Sequence, residues 1–255
     1  MKNIFAVIFD LDDTLLRSDK SISDYTLEIL KKCKDHGIYT GVATARNEIS
    51  AGSYIQIKDF DIVISNGGAR MTVGGKCVYE KMMPANTVRK IIDIFFEIGG
   101  DEMTVETKEG YFWNYKTKPE DSWAHAVYND FSNFNSPAYK ITAKLDNPEL
   151  ARRICNEVGG IETLNFRGEE WRRFASVGAD KVSAIREATK HLGIDISEVA
   201  AFGDDYNDIE MIKAVGMGVA MGNAIKEVKA IAKYIALSND EDGAARFIAD
   251  NIFKG

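Results

Sequence analysis

Hydrophobic and polar positions alternate in long blocks along this chain, and each block predicts an element. The apolar run Ile4-Phe5-Ala6-Val7-Ile8-Phe9 stops at Asp10, the pattern of a strand covered on both faces of a parallel sheet. Ser23 is placed to cap a helix that carries Leu27, Leu30 and Cys33 on one face and stops at Gly37. A strand from Ile38 to Ala43 then ends at Thr44, and after a short helix a third strand runs from Asp61 to Ile64. This β-α-β rhythm predicts an α/β, doubly wound core.

From Ala69 the rhythm changes. Met71-Thr72-Val73, Gly74-Gly75 and Cys77-Val78-Tyr79 predict a β-hairpin. Strand-like pieces follow at Met103 to Thr107, Tyr111 to Tyr115, Tyr139 to Leu145 and Arg172 to Val177, interrupted by helical patterns at Ala85 to Ile98 and Pro148 to Val158. The segment 82–178 therefore reads as an inserted α+β domain, with linkers near Met82 to Pro84 and Val177 to Ala179. The α/β rhythm returns with a helix at Lys181 to His191, a strand at Val199 to Phe202, a helix at Ile209 to Ala214 and an apolar stretch from Gly216 to Met221. Residues 1–81 and 179–255 thus form one domain.

The composition, 45% hydrophobic and 28% charged, is that of a globular chain. A net charge of −7 without a Lys/Arg run argues against nucleic-acid binding. Three widely spaced cysteines, Cys33, Cys77 and Cys155, argue for a reducing compartment. The first apolar run is too short for a membrane span or a signal segment, so a cytoplasmic location is expected.

The chemistry gathers where strands end. Asp10-Leu11-Asp12-Asp13-Thr14 and Gly203-Asp204-Asp205-Tyr206-Asn207-Asp208 each follow an apolar strand, where ligands bind in open α/β sheets. Carboxylates crowded into one crevice need a cation or raised pKa values, and an all-oxygen donor set favours Mg²⁺ over Ca²⁺ and excludes Zn²⁺. Thr44 at a strand end and Lys181 at a helix start suit an anion in the same crevice. Together they describe a phosphoryl site.

These residues resemble the motifs of the haloacid dehalogenase superfamily, in its Cof-type, sugar-phosphatase-like branch (subfamily IIB). DxDxT stands as Asp10-Leu11-Asp12-Asp13-Thr14, Thr-Gly-Arg as Thr44-Ala45-Arg46, Ser-Asn-Gly as Ser65-Asn66-Gly67, the motif lysine as Lys181-Val182, and GDxxND as Gly203 to Asp208 with Asp204, Asn207 and Asp208 matched. The resemblance implies a Rossmann-like core with an inserted type C2 cap. It further implies Mg²⁺-dependent hydrolysis of small phosphorylated metabolites, with Asp10 as nucleophile and Asp12 as acid and base. Asp12 then needs a raised pKa in its acid step. Mg²⁺ would be held by Asp10, the Asp12 carbonyl and Asp204, with Asp208 in support. The phosphoryl group would be held by Leu11, Thr44, Ala45, Arg46, Lys181 and Asn207. Two positions depart from the pattern. Ala45 adds a methyl beside the phosphate loop and is expected to leave Thr44 in place, whereas Val182 in place of glycine is expected to shift the backbone near Lys181. A phosphosugar mutase and a non-catalytic sensor are the competing readings.

The remaining residues have simpler explanations. His36 and His191 precede glycines at helix ends, where histidine complements the helix dipole. His125, among Trp113, Tyr115, Trp123 and Tyr128, either faces a substrate or packs in a core, with core packing preferred. Arg46 either pairs with an acid or substrate or is solvated.

Overall fold

Ala6–Phe9 forms strand β1, and its side chains feed two cores in alternation: Val7 and Phe9 enter one, Ala6 and Ile8 the other. A strand apolar on both faces is stable only with both faces covered, and the helices supply that cover. The computed structural model describes residues 3–56, 59–115, 126–166 and 170–253. The chain continues through α1 (Asp24–Asp35), β2 (Tyr39–Ala43), α2 (Glu48–Gly52), β3 (Ile62–Ser65) and the hairpin β4 (Arg70–Val73) and β5 (Lys76–Glu80). Next come α3 (Ala85–Glu97), β6 (Met103–Glu106), β7 (Tyr111–Trp113), β8 (Ala126–Tyr128), β9 (Lys140–Lys144), α4 (Pro148–Val158), β10 (Ile161–Asn165) and β11 (Trp171–Ser176). The return supplies α5 (Lys181–Leu192), β12 (Val199–Gly203), α6 (Ile209–Ala214), β13 (Met217–Ala220), α7 (Lys226–Ile231), β14 (Tyr234–Ile235) and α8 (Gly243–Asn251).

Two units result, Met1–Glu80 with Asp180–Gly255, and Lys81–Ala179. The first holds the sheet β14-β13-β12-β1-β2-β3-β4-β5, parallel from β14 to β3 and closed by the antiparallel hairpin. β1 lies between β12 and β2, with Ala6 opposite both Val199 and Tyr39. This is the expected doubly wound α/β core. Phe9 stacks on Phe202 with ring centroids 5.1 Å apart, and Phe202 meets Phe247 edge-on. Because Phe202 anchors the strand that leads to Asp204, Phe202→Ala is expected to cost about 3–5 kcal/mol of stability. Urea unfolding measures it, and a loss under about 1 kcal/mol would show that this core does not brace the strand.

The second unit holds the sheet β10-β11-β9-β6-β7-β8, antiparallel except for β7 and β8. Its own core includes Val88, Ile91, Ile92 and Phe95 from α3 and Val105, Ile141 and Phe174 from the sheet.

Several expectations change. Leu27 is 48% exposed; α1 buries Thr26, Ile29, Leu30 and Cys33, a stripe shifted by one residue. Met83, expected in a linker, is fully buried in the second core and exchanges backbone hydrogen bonds with Ala138. Tyr128 is exposed, whereas Trp113 is buried against Tyr115, which in turn meets Trp171. His125 and Trp123 lie outside the described residues. His36 is exposed and its Nδ1 lies 2.8 Å from the Lys32 carbonyl, as its helix-end position predicts. Among the described residues no helix is long and apolar enough to cross a membrane.

Candidate active site

β1 and β12 deliver the acids. The Asp10 amide donates to the Phe202 carbonyl at 2.9 Å, extending the parallel ladder by one residue and fixing the Asp10 backbone at the sheet's carboxyl edge. The chain then turns tightly through Leu11–Leu15, with Asp13 at φ 56° and Leu11 and Leu15 anchored in the core. That turn carries the Thr14 hydroxyl to Asp204, to which it donates at 3.0 Å.

After β12 the segment Asp205–Asp208 folds back on itself. Asp208 Oδ2 accepts from the amides of Asp204 (2.9 Å) and Asp205 (3.2 Å), while its Oδ1 accepts from Lys181 Nζ at 2.7 Å. A side chain at Gly203 would lie 2.5 Å from the Asp208 carboxyl carbon, so this return requires glycine there. Lys181 opens α5 behind the N-cap Asp180, whose side chain accepts from the Ser183 amide at 2.8 Å. Its ammonium, almost wholly buried, also donates to Asp10. Val182 does not displace it, because residue 182 already lies in regular helix and only Lys181 must face inward.

Asp10, Asp204 and Asp208 each offer a carboxylate oxygen within 4.8 Å of the others. Burial pushes the Asp10 carboxyl well up; Asp208 and Asp204 add to this and Lys181 opposes it. Burial, then Asp208, pushes Asp204 up to about 7. Burial works against the Lys181 charge, but Asp10 and Asp208 outweigh it and hold the ammonium protonated. These buried carboxylates could hold a cation through hard donors only, and among the described residues no His or Cys joins the cluster.

Asp12 is placed differently. Arg46 grips it with two hydrogen bonds, Nε to Oδ2 at 2.7 Å and a terminal nitrogen to Oδ1 at 2.8 Å, and Lys20 Nζ adds a third at 3.0 Å. Burial alone would raise Asp12, but the two cations outweigh it and hold the carboxyl below its ordinary range. The expectation of a raised Asp12 is therefore corrected for this arrangement. Arg46 is neither solvated nor free: it also donates to Ser50 at 3.1 Å and stacks 4.6 Å from the Tyr54 ring centre.

Thr44 is buried at the end of β2, and its hydroxyl accepts from the Arg46 amide at 3.1 Å. Ala45 lies between them, half-buried. The Leu11 side chain is in the core, so only its backbone can meet a ligand. Asn207 sits half-buried in the Asp205–Asp208 return. The sequence reading missed Lys20, which reaches Asp12 from a left-handed backbone position at φ 65°. Nothing but its charge marks it in the sequence.

The carboxyl edge of the parallel strands gathers a DxDxT turn, a buried lysine and a GDxxND return, the arrangement by which the chain resembles hydrolases of the phosphoryl-transfer type. Residues 7–248 match the model of the haloacid dehalogenase-like hydrolases, and the chain belongs to that family. It is 27% identical to the 5-amino-6-(5-phospho-D-ribitylamino)uracil phosphatase YitU of Bacillus subtilis (strain 168), over 96% of this chain and 97% of that protein. It is also 27% identical to the HMP-PP phosphatase of Klebsiella pneumoniae (strain 342), over 91% and 89%. The solved structure of the phosphatase BT1666 from Bacteroides thetaiotaomicron superposes with a TM-score of 0.85 at 25% identity, covering 97% of this chain and 95% of that one.

Proposed function

We propose that the protein hydrolyses small phosphomonoesters, sugar phosphates foremost, through an aspartyl phosphate on Asp10. The observation that carries this reading is the buried Lys181 ammonium shared by Asp10 and Asp208, with Asp204 beside them. An Asp10 carboxylate oxygen attacks phosphorus and the ester oxygen leaves, taking its proton from Asp12; Asp12 then removes a proton from water, whose oxygen attacks phosphorus and frees Asp10. With Arg46 and Lys20 engaged, Asp12 is the ionised base of the second step, so the first step runs with that grip released. Thr44, Asn207 and Lys181 hold the phosphoryl oxygens, and donor placement there supplies much of the rate.

The donor set fits Mg²⁺, which Asp10, Asp204, Asp208 and the Asp12 carbonyl would hold. When bound, the cation offsets the negative charge that nucleophile and phosphate bring together. A cation at these acids has a signature without substrate. Asp204 titrates higher folded than unfolded, so its share of stability is present at low pH and is lost as pH rises through about 7. Metal-free protein is therefore expected to melt several degrees lower at pH 8 than at pH 5.5, and millimolar Mg²⁺ to restore much of the difference at pH 8. A melting temperature that ignores Mg²⁺ at pH 8 would count against the site.

The direct test is phosphate release from sugar phosphates, nucleotides, 5-amino-6-(5-phospho-D-ribitylamino)uracil and HMP-PP, with Mg²⁺ and with chelator. Mg²⁺-dependent release supports the reading. A positional isomer in place of free phosphate makes the protein a mutase, and binding without turnover makes it a sensor.

A further inference from the structure

The turn Asn66-Gly67-Gly68 follows Ser65 at the end of β3, and the mechanism above assigns it no part. Its backbone nevertheless meets two other segments of the site. The Asn66 amide donates to the Arg46 carbonyl at 2.8 Å, and the Gly67 amide to the Thr44 carbonyl at 3.0 Å. Three successive residues hold positive φ: Asn66 at 54°, Gly67 at 70° and Gly68 at 105°. Ser65 pairs with Arg70, leaving a four-residue hairpin loop. Such a loop is usually built around an ordinary type I turn, so a hairpin alone does not call for this run.

The reason lies across the loop. A Cβ on Gly68 would stand 2.1 Å from the carbonyl carbon of Asp180, 2.2 Å from its oxygen and 2.6 Å from its α-carbon. Asp180 caps α5, and the next residue is Lys181. The first turn of α5 thus rests directly on the α-carbon of Gly68. Farther along, Ala184, Ile185 and Ala188 hold the same helix against Ile8, Ile62 and Ile64 of the sheet, so the helix has no room to tilt without repacking that core.

We propose that the turn Asn66-Gly67-Gly68 is a positioning element of the active site: it seats the start of α5 so that Lys181 Nζ meets Asp10 and Asp208, and it ties the same seat to the Thr44–Arg46 loop. A methyl at Gly68 forces the start of α5 back by about 1.4 Å, to an ordinary carbon contact of ~3.5 Å. It also strains a backbone that only glycine adopts freely. A displacement of ~1 Å in a catalytic group costs roughly 100-fold in rate. That consequence for rate rests on the function proposed above; the placement of Lys181 does not.

The test compares Gly68→Ala with Gly216→Ala. Gly216 is equally crowded, 1.8 Å from the Ser197 carbonyl oxygen for a built Cβ, but it precedes β13 at the amino end of the strand, away from the carboxyl edge. Gly68→Ala is expected to lose about 100-fold in kcat/KM per folded molecule, and its crystal structure to show Lys181 Nζ withdrawn beyond 3.5 Å from Asp208 Oδ1. Gly216→Ala is expected to lose stability while keeping kcat/KM per folded molecule. Unchanged Lys181 contacts in Gly68→Ala, or equal kinetic losses in the two variants, overturn the proposal.

If Gly68→Ala does not fold, Asn66→Val and Asn66→Gly decide. Glycine accepts φ 54° and valine does not, so about tenfold lower kcat/KM for valine than for glycine supports a backbone role, and equal values overturn it. Should the unaltered protein hydrolyse no phosphomonoester, the proposed function fails, and the Lys181–Asp208 distance in Gly68→Ala still decides the positioning.

Discussion

Asp10→Asn is expected to abolish phosphate release, by at least about 10³-fold, while leaving the protein folded. The amide keeps the shape of the carboxylate but lacks the charge and nucleophilicity that attack on phosphorus needs. Stability moves the other way. Asp10 is buried beside Asp204 and Asp208, and burial together with both neighbours disfavours its charge by more than Lys181 favours it. Lys181 also has Asp208 as a partner, 2.7 Å away in the unaltered protein, and is expected to keep it in the variant. Without added metal at pH 8, the variant should therefore melt at or above the temperature of the unaltered protein. A stopped-time phosphate assay and a thermal melt suffice. More than a tenth of the activity remaining would place the nucleophile elsewhere.

Lys181→Met separates the same two properties in the opposite sense. Methionine fills much of the volume, but Asp10 and Asp208 lose the ammonium they share. Removing one partner of a buried ion pair costs about 3–5 kcal/mol, because the remaining charge is left without compensation. Activity is expected to fall about 10³-fold and stability by several kcal/mol at pH 8. Mg²⁺ should return part of the stability by entering among the carboxylates, and none of the activity. Urea unfolding with and without Mg²⁺ reads the first effect, and phosphate release the second. If stability were unchanged, the lysine would be contributing nothing to the balance of charge in the cluster.

Where the pattern of a segment was dictated by burial on both faces, the sequence announced the element. β1, β3 and β12 are essentially apolar runs and β2 is one broken only by Thr40; each leads into a residue of the candidate site or of the positioning turn, and their order along the chain predicts the core. β14 is two exposed residues, and α7 buries only Val228; elements with so little apolar face leave no period to read. The acids and Lys181 were legible because strand ends and a helix start fix where they stand. The grip of Arg46 and Lys20 on Asp12 was not, because it depends on two loops meeting and on a left-handed residue whose identity, lysine, gives no hint of its backbone.

Thr14 and Asp204 join across 190 residues of chain. During synthesis at roughly 5–20 residues per second, the first strand waits about 10–40 seconds for the partner that completes its other side. The unit Lys81–Ala179 is one unbroken stretch with its own core, so it is free to fold inside that interval, before its host. The acidic cluster of Asp10, Asp204 and Asp208 thus forms only after β12 has been made, and a chain interrupted between β2 and β12 carries Asp10 on a half-paired strand with its apolar edge open to other chains.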